Sequence, residues 1–244
     1  LIKIHNSAIF VSDIHLTESE AKTIDKFIYF LRNDAIKHEA LFILGDLFDY
    51  WIGDDADTFR EIKNSLKELS KKVKIYFIAG NRDFLIGSKF LSFCQVSLLK
   101  DPTLILLGDT MTLIMHGDTL CTDDTDYQKW RSLVRSKEWI NNFIEKPLTE
   151  RMKICEELRD QSESKKKNKS DSIMDVNDIA VKEILRQNNY PKYLIHGHTH
   201  RPDIHDYSLE DKFSQRWVLG DWHMNGNYIL WEENKLQSIS LSLS

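Results

Sequence analysis

Short apolar runs rich in branched residues alternate along this 244-residue chain with longer stretches in which apolar residues recur every three or four positions. That alternation predicts strands and helices around a largely buried sheet, an α/β fold of layered mixed sheets flanked by helices. Ala8–Val11, Leu41–Leu44 and Lys74–Ile78 read as buried strands. Ile24, Phe27, Ile28, Leu31 and Ala35 predict an amphipathic helix from Ser19 to about Lys37, and Phe59, Ile62, Leu66 and Leu69 predict a second. Leu104–Leu107 and Met111–Met115 flank Gly108 and Asp109, the residues of a tight turn, so an antiparallel hairpin is expected. Val176, Ile179, Ala180 and Ile184 predict a further helix, Tyr193–Ile195 a strand, and Trp217–Leu219, Tyr228–Trp231 and Leu236–Leu241 the last strands.

The pattern changes between Cys121 and Asp171. No strand is predicted there, and Trp130, Leu133, Val134, Trp139, Ile140, Phe143, Ile144 and Leu148 make a strongly apolar set on otherwise polar helices. Residues from about 122 to 170 are read as a helical insertion, a lid within a single domain spanning 1–244. It carries either an apolar face for packing or a greasy groove lined by residues such as Trp130, Trp139, Phe143 and Ile144. Its end, Ser164–Ser170, holds four lysines and no acid, a solvated loop or a place for phosphates.

Composition narrows the class. With 41% hydrophobic and 29% charged residues the chain is of globular type. It contains no apolar run of the roughly 20 residues that a membrane helix needs, nor a secretory signal pattern, and is expected in the cytosol. Cys94, Cys121 and Cys155 lack zinc-motif spacing and are expected to stay reduced. A net charge of −5 argues against nucleic acid as a partner, and nothing marks an obligate protein partner.

Chemistry collects where the predicted strands end. Asp13 and His15 follow the first strand, Asp46 the second, and Asn81, Arg82 and Asp83 the third; His116 follows the hairpin, and His196, His198 and His200 follow Tyr193–Ile195. The C-terminal edge of an α/β sheet is where ligands bind, so residues far apart in sequence can converge there. These donors are too many for one ion and suit two. Two close ions need a shared carboxylate, for which Asp46 is the candidate. Oxygen and nitrogen donors without thiolate suit manganese, iron or zinc. Asp49, Asp54 and Asp55 are expected to orient ligands or cap a helix, and Asp83 to orient ligands. His5, His38 and His205 read as surface or hydrogen-bonded histidines, while His223 stays open.

The order DxH, GDxxD, GNxD, HGD and GHxH resembles that of the calcineurin-like metallophosphoesterases. The longer blocks SDIH, ILGDLFDYWIGDD, IAGNRDFLIG, LIMHGDTLCTDD, IMDVN and LIHGHTHRP are similar to the UDP-2,3-diacylglucosamine pyrophosphatase family of lipid A synthesis, over nearly the whole chain. The resemblance implies two divalent ions, with manganese expected. One would be held by Asp13, His15, Asp46 and His200, the other by Asp46, Asn81, His116 and His198, with His196 left to a structural role. It implies catalytic roles for Asp46, Asn81, Arg82 and His116. Substrate contacts would come from Asn81, Arg82, Asp124, Arg159, Ser162, Lys166, Lys169 and His198. Arg82 stands where many relatives have histidine; it cannot usefully donate a proton, so its implied role is to clamp the diphosphate. At Lys166 the family has asparagine instead.

The implied reaction is attack of metal-activated water on the α-phosphorus of UDP-2,3-diacylglucosamine, giving UMP and 2,3-diacylglucosamine 1-phosphate. The implied location is peripheral, on the cytoplasmic face of a Gram-negative inner membrane. The competing readings are another dinuclear phosphoesterase, acting on a soluble nucleotide, phosphodiester or phosphoprotein, and a non-catalytic scaffold.

Overall fold

The apolar runs become strands of two six-stranded mixed sheets. The computed structural model describes the backbone of residues 1–168, 175–223 and 226–241, and the side chains of all of these except 160–168. In chain order the elements are β1 (Ile2–Ile4), β2 (Ser7–Val11), α1 (Ala21–Asn33), β3 (Ala40–Ile43), α2 (Arg60–Ser70), β4 (Lys74–Ile78), α3 (Ser88–Cys94), β5 (Val96–Leu99), β6 (Thr103–Leu107) and β7 (Thr110–Ile114). There follow α4 (Thr125–Val134), α5 (Lys137–Ile144), α6 (Leu148–Asn168), α7 (Asp178–Gln187), β8 (Tyr193–His196), β9 (Ile204–Leu209), β10 (Lys212–Val218), β11 (Gly226–Glu232) and β12 (Lys235–Leu241).

One sheet has the order β12-β11-β2-β3-β4-β5, with β2 to β5 mutually parallel and β11 antiparallel to β2. The other runs β1-β6-β7-β8-β10-β9, with the expected hairpin at β6 and β7 and a parallel step from β7 to β8. Alternate side chains of each strand pack on opposite faces. Phe10 and Phe42 point between the sheets, where Phe42 stacks on Phe10 at 5.0 Å and on Tyr76 at 4.8 Å and meets Ile105, Ile195 and Trp231 in one core. Ile9, Val11, Leu41 and Ile43 point the other way, under Phe27, Leu31, Ile62 and Leu66 of α1 and α2. Val181 and Leu185 of α7 cover the outer face of the second sheet at Leu113 and Leu194. Strands buried on both faces have no need of polar alternation, which is why they read as continuous apolar runs.

Differences from the sequence reading fall at edges and ends. β1, β5 and β9, not predicted from the pattern, are three of the four sheet edges; half their hydrogen-bonding groups face away from the sheet, and their residues are correspondingly mixed in polarity. α3, with seven residues, is too short for a helical period to emerge. The long first helix stops at Asn33, whose side-chain amide donates to the Tyr29 carbonyl at 2.8 Å, and Ala35–Lys37 forms a separate 3₁₀ turn. Between Asp123 and Asn168 the chain is built from α4, α5 and α6.

Phe42→Ala opens a cavity between the sheets and is expected to cost about 3–5 kcal/mol. A denaturant titration should show this as a lower midpoint with little change in slope.

Candidate metal centre and adjoining cavity

The C-terminal ends of β2, β3 and β4 in one sheet meet those of β7 and β8 in the other, and the loops leaving them are tied crosswise. The Asp13 amide donates to Gly45 O, His15 N to Asp46 O, and Gly197 N to His116 O, at 2.9–3.1 Å. In these loops Asp13, His15, Asp46, His198 and His200 all have left-handed backbone, with φ of 52–67°. For residues with a Cβ this conformation costs about 1–2 kcal/mol each. It persists where the surroundings fix it, as at functional loops. Glycines make the crossings possible: a Cβ on Gly80 would run into the Asp46 carboxylate, and one on Gly197 into Ser12 and Asp13.

The side chains that emerge form two groups of acceptors. Asp13 Oδ1 lies 3.3 Å from His200 Nε2, which lies 3.3 Å from His15 Nε2. His15 Nε2 is 4.0 Å from Asp13 Oδ1 and 3.9 Å from Asp46 Oδ2. The other carboxylate oxygen of Asp46, Oδ1, faces the second group, 3.8 Å from His116 Nε2. Asn81 Oδ1 stands 3.0 Å from both His116 Nε2 and His198 Nδ1. Atoms that each coordinate one ion at about 2.1 Å stand roughly 3–3.5 Å apart, so this spacing suits shared ions. Asp13 Oδ1 is fully buried with no hydrogen-bond donor, a situation that a cation resolves. The residues therefore fit two divalent ions. Asp46 lies between the groups with one oxygen towards each, and all seven donors named from the sequence are brought together.

Electrostatics favour positive charge at this point. Burial would raise the Asp13 carboxyl, but His200, His116 and His15 outweigh it and hold it well below the usual range. Burial would lower His116, yet Asp46, Asp118 and Asp13 push it up to about 9. His198 is brought down to about 3 by burial and by His116, and burial lowers His15 as well, leaving neutral rings of the kind that ligate metals.

Around the donors lies a supporting set. His116 Nδ1 donates to Leu44 O at 2.9 Å, which turns Nε2 towards the site. Asp83 accepts from Leu47 N and Gly80 N, both at 2.8 Å, and joins the loops after β3 and β4. Asp49 stands 3.9 Å from His15 Nδ1 and pairs with Arg159 at 2.9 Å. His196 is buried outside the donor groups: its Nδ1 donates to Gly197 O, and its Nε2 accepts from Arg216 at 3.2 Å. Asp54 accepts from Gly87 N, Lys89 N and Phe90 N, and so caps α3. Asp55 makes a two-pronged pair with Arg151 of α6 at 2.6 and 2.7 Å.

Two contributors were not singled out from the sequence. Asp221 sits 3.5 Å from His200 Nδ1. Asp118, fully buried, accepts from Arg131 and Tyr127 of α4. Asp118 was visible as the last letter of HGD. Asp221 had no sequence signal beyond its place in GDWHMNG, the same loop that lays His223 parallel to His15 at 6.0 Å.

A cavity of about 320 Å³ opens from the donors into the helical segment. His15, Asp46, Asn81, Arg82, His198 and His200 line its base, and Trp130, Trp139, Phe143 and Leu158 its apolar wall. Trp139 and Phe143 stack at 4.9 Å. Not every apolar residue of the segment serves the cavity. Ile144 is 37% exposed and lies against Gly53, Leu133 is 60% exposed, and Val134 is buried. Of the expected substrate contacts, Asp124 lines the cavity while its carboxylate caps α4 through Tyr127 N at 3.1 Å, and Arg159 reaches the site through Asp49. The Ser162 and Lys166 side chains, and Lys169 altogether, lie outside the described residues.

Comparison with known proteins gives a consistent set. A family profile for calcineurin-like phosphoesterases matches residues 7–202. The chain is 45% identical over 229 residues to the UDP-2,3-diacylglucosamine hydrolase of Aromatoleum aromaticum, covering 93% of each chain. It is 44% identical over 236 residues to the protein of that name from Photorhabdus laumondii, covering 95% of this chain and 98% of the relative. The Coxiella burnetii protein of that name is 40% identical over 241 residues, covering 96% and 98%.

Gly80→Ala is expected to displace Asp46 and to lower bound metal to well under half of the wild-type content, by elemental analysis of dialysed protein, while the far-ultraviolet circular dichroism is kept. Unchanged metal content would count against the role given to Asp46.

Proposed function

The chain belongs to the calcineurin-like phosphoesterase family, and on that premise we propose that it hydrolyses the pyrophosphate bond of UDP-2,3-diacylglucosamine in lipid A synthesis. The observation that carries the reading is the continuity of the acceptor groups with an apolar cavity: a charged diphosphate and a greasy tail need those two environments side by side. The shared name of these relatives supplies the substrate.

In the reaction, water adds to the α-phosphorus and the bond from that phosphorus to the bridging oxygen breaks. UMP and 2,3-diacylglucosamine 1-phosphate leave. Two divalent ions, when bound to Asp13, His15, Asp46 and His200 and to Asp46, Asn81, His116 and His198, supply a more acidic water and positive charge for the phosphoryl oxygens. Manganese suits this mixture of carboxylate, amide and imidazole donors without thiolate. Arg82, on the cavity floor, offers a planar, permanently charged fork to the diphosphate oxygens. Its backbone N–H holds Asp46 Oδ1 at 2.9 Å, so the clamp and the shared carboxylate are set by one residue. Asn81 and His198 face the same phosphoryl group. Arg159 and Asp124, together with Ser162, Lys166 and Lys169, would contact the sugar and its phosphate.

Helices α4 to α6 act as a lid inserted into the single domain, and their cavity takes the acyl chains. Each buried methylene contributes about 0.8 kcal/mol, so chain burial dominates affinity. No described helix is long and apolar enough to cross a membrane. A lipid substrate then requires peripheral contact with the inner membrane on its cytoplasmic face.

Three measurements test the reading. Asp13→Ala and His116→Ala should each lower UMP release about a hundredfold or more with folding kept; full activity in either would sink the dinuclear reading. A UDP-sugar without acyl chains should be cleaved at least about a hundredfold less efficiently, and equal cleavage would remove the lipid assignment. In flotation with anionic liposomes, intact protein should co-migrate at low salt and be released at high salt; its absence from the vesicles at low salt would rule out the membrane contact.

A further inference from the structure

Two thiols, Cys121 and Cys155, line the cavity. Arg82, Asp49 and Tyr50 gather around Cys155 of α6, with Arg159 joined through Asp49, and Leu158 of the same helix begins the apolar wall. Asp118, Asp175, Asp124 and Arg201 are the charges that act on Cys121. Arg201 follows His200 directly in the chain and lines the cavity, and its Nη1 lies 3.1 Å from Asp175 Oδ2. Both members of that pair are partly open to solvent, their side chains 39% and 40% exposed. None of the steps described above uses Arg201.

Resting on the function proposed above, we propose that Arg201, oriented by Asp175, is the subsite for the departing nucleoside monophosphate. The substrate is a diphosphate with unlike ends. Its acyl end is drawn to the apolar residues Trp139, Phe143 and Leu158, where methylenes leave water. The diphosphate lies over the acceptor groups, and the nucleoside end then extends towards the polar lining residues Asp124, Asp126, Thr199 and Arg201. A guanidinium matches two phosphate oxygens at once. One residue from a metal ligand, it is within a side chain's length of the phosphate that stays with the nucleoside. The two arginines thereby divide the work: Arg82 holds the reacting centre from the lipid side, and Arg201 holds the half that leaves.

The test is binding of UMP to the manganese-loaded protein, by calorimetry and as product inhibition, with Arg201→Gln, Arg201→Lys and Asp175→Asn as variants. Loss of one charge-assisted contact should raise the UMP dissociation constant and inhibition constant about tenfold in R201Q. A smaller rise is expected in R201K and D175N, with inhibition by 2,3-diacylglucosamine 1-phosphate changed less than twofold. UMP binding within twofold of wild type in R201Q and R201K overturns the inference, as does equal weakening of both products. Wild-type protein that releases no UMP from UDP-2,3-diacylglucosamine overturns the functional reading, and the inference with it. Wild-type release with unaltered UMP binding in the variants overturns the inference alone.

Discussion

Two carboxylates, Asp13 and Asp46, are buried side by side at the mouth of two sheets, and much of the surrounding structure answers that constraint. A buried carboxylate needs donors or cations, and two of them repel. Asp13 spends Oδ2 on Ser12 and on the His198 amide, 2.8 Å away, and turns Oδ1 to the imidazoles. Asp46 has one oxygen towards each group of histidines. His15, His116, His198 and His200 supply lone pairs to the same space. The arrangement is satisfied only by positive charge at its centre, so the acceptor geometry and the expectation of two cations are one statement.

The same constraint accounts for how firmly the helical segment is held. Asp118 binds Arg131 and Tyr127 of α4, Arg135 donates to the Gly80 carbonyl at 2.8 Å, Asp55 takes Arg151 in two prongs, and Asp49 takes Arg159. Each tie runs from a loop of the site to α4, to Arg135 just after it, or to α6. Of these, the pair of Asp118 with Arg131 has a fully buried carboxylate, and there a separated partner is left uncompensated, which penalises any other arrangement. The ties register the apolar wall on the acceptor groups, so the greasy and charged halves of the cavity keep a fixed relation. Tyr127, its hydroxyl on Asp118 and its ring 5.7 Å from that of His198, shows the register at closest range.

The sequence made the buried strands legible because β2, β3 and β4 are apolar on both faces, and polar residues cluster where such runs stop. It hid β1, β5 and β9, whose outer edges relax the pattern. The grouping at the site was legible as an ordered set of strand ends, whereas its finer wiring was not. His196, His198 and His200 look equivalent in LIHGHTHRP until the family order sets His196 aside, and folding adds its partner, Arg216. Asp221 follows β10, a strand whose end carries no ligand of its own, and it reaches His200 because β10 lies beside β8. Ile144 and Leu133 match the cavity residues in composition, and they differ from Trp139 and Phe143 only in which side of a short helix faces inward.

Left-handed backbone at five donor residues shows where stability was exchanged for geometry. An unstrained loop lets side chains diverge after a strand; a left-handed residue reverses the path within one peptide and turns successive side chains into the same small volume. Asp13 and His15 both need this to face Asp46 from a single short turn, and His198 and His200 need it to address different groups from one loop. The strain is tolerable because Gly80 and Gly197 let neighbouring loops press in and hydrogen-bond it in place. Glycine at those two positions and non-glycine residues at the strained ones therefore form one solution: a missing side chain in one loop makes room for a carboxylate in the next.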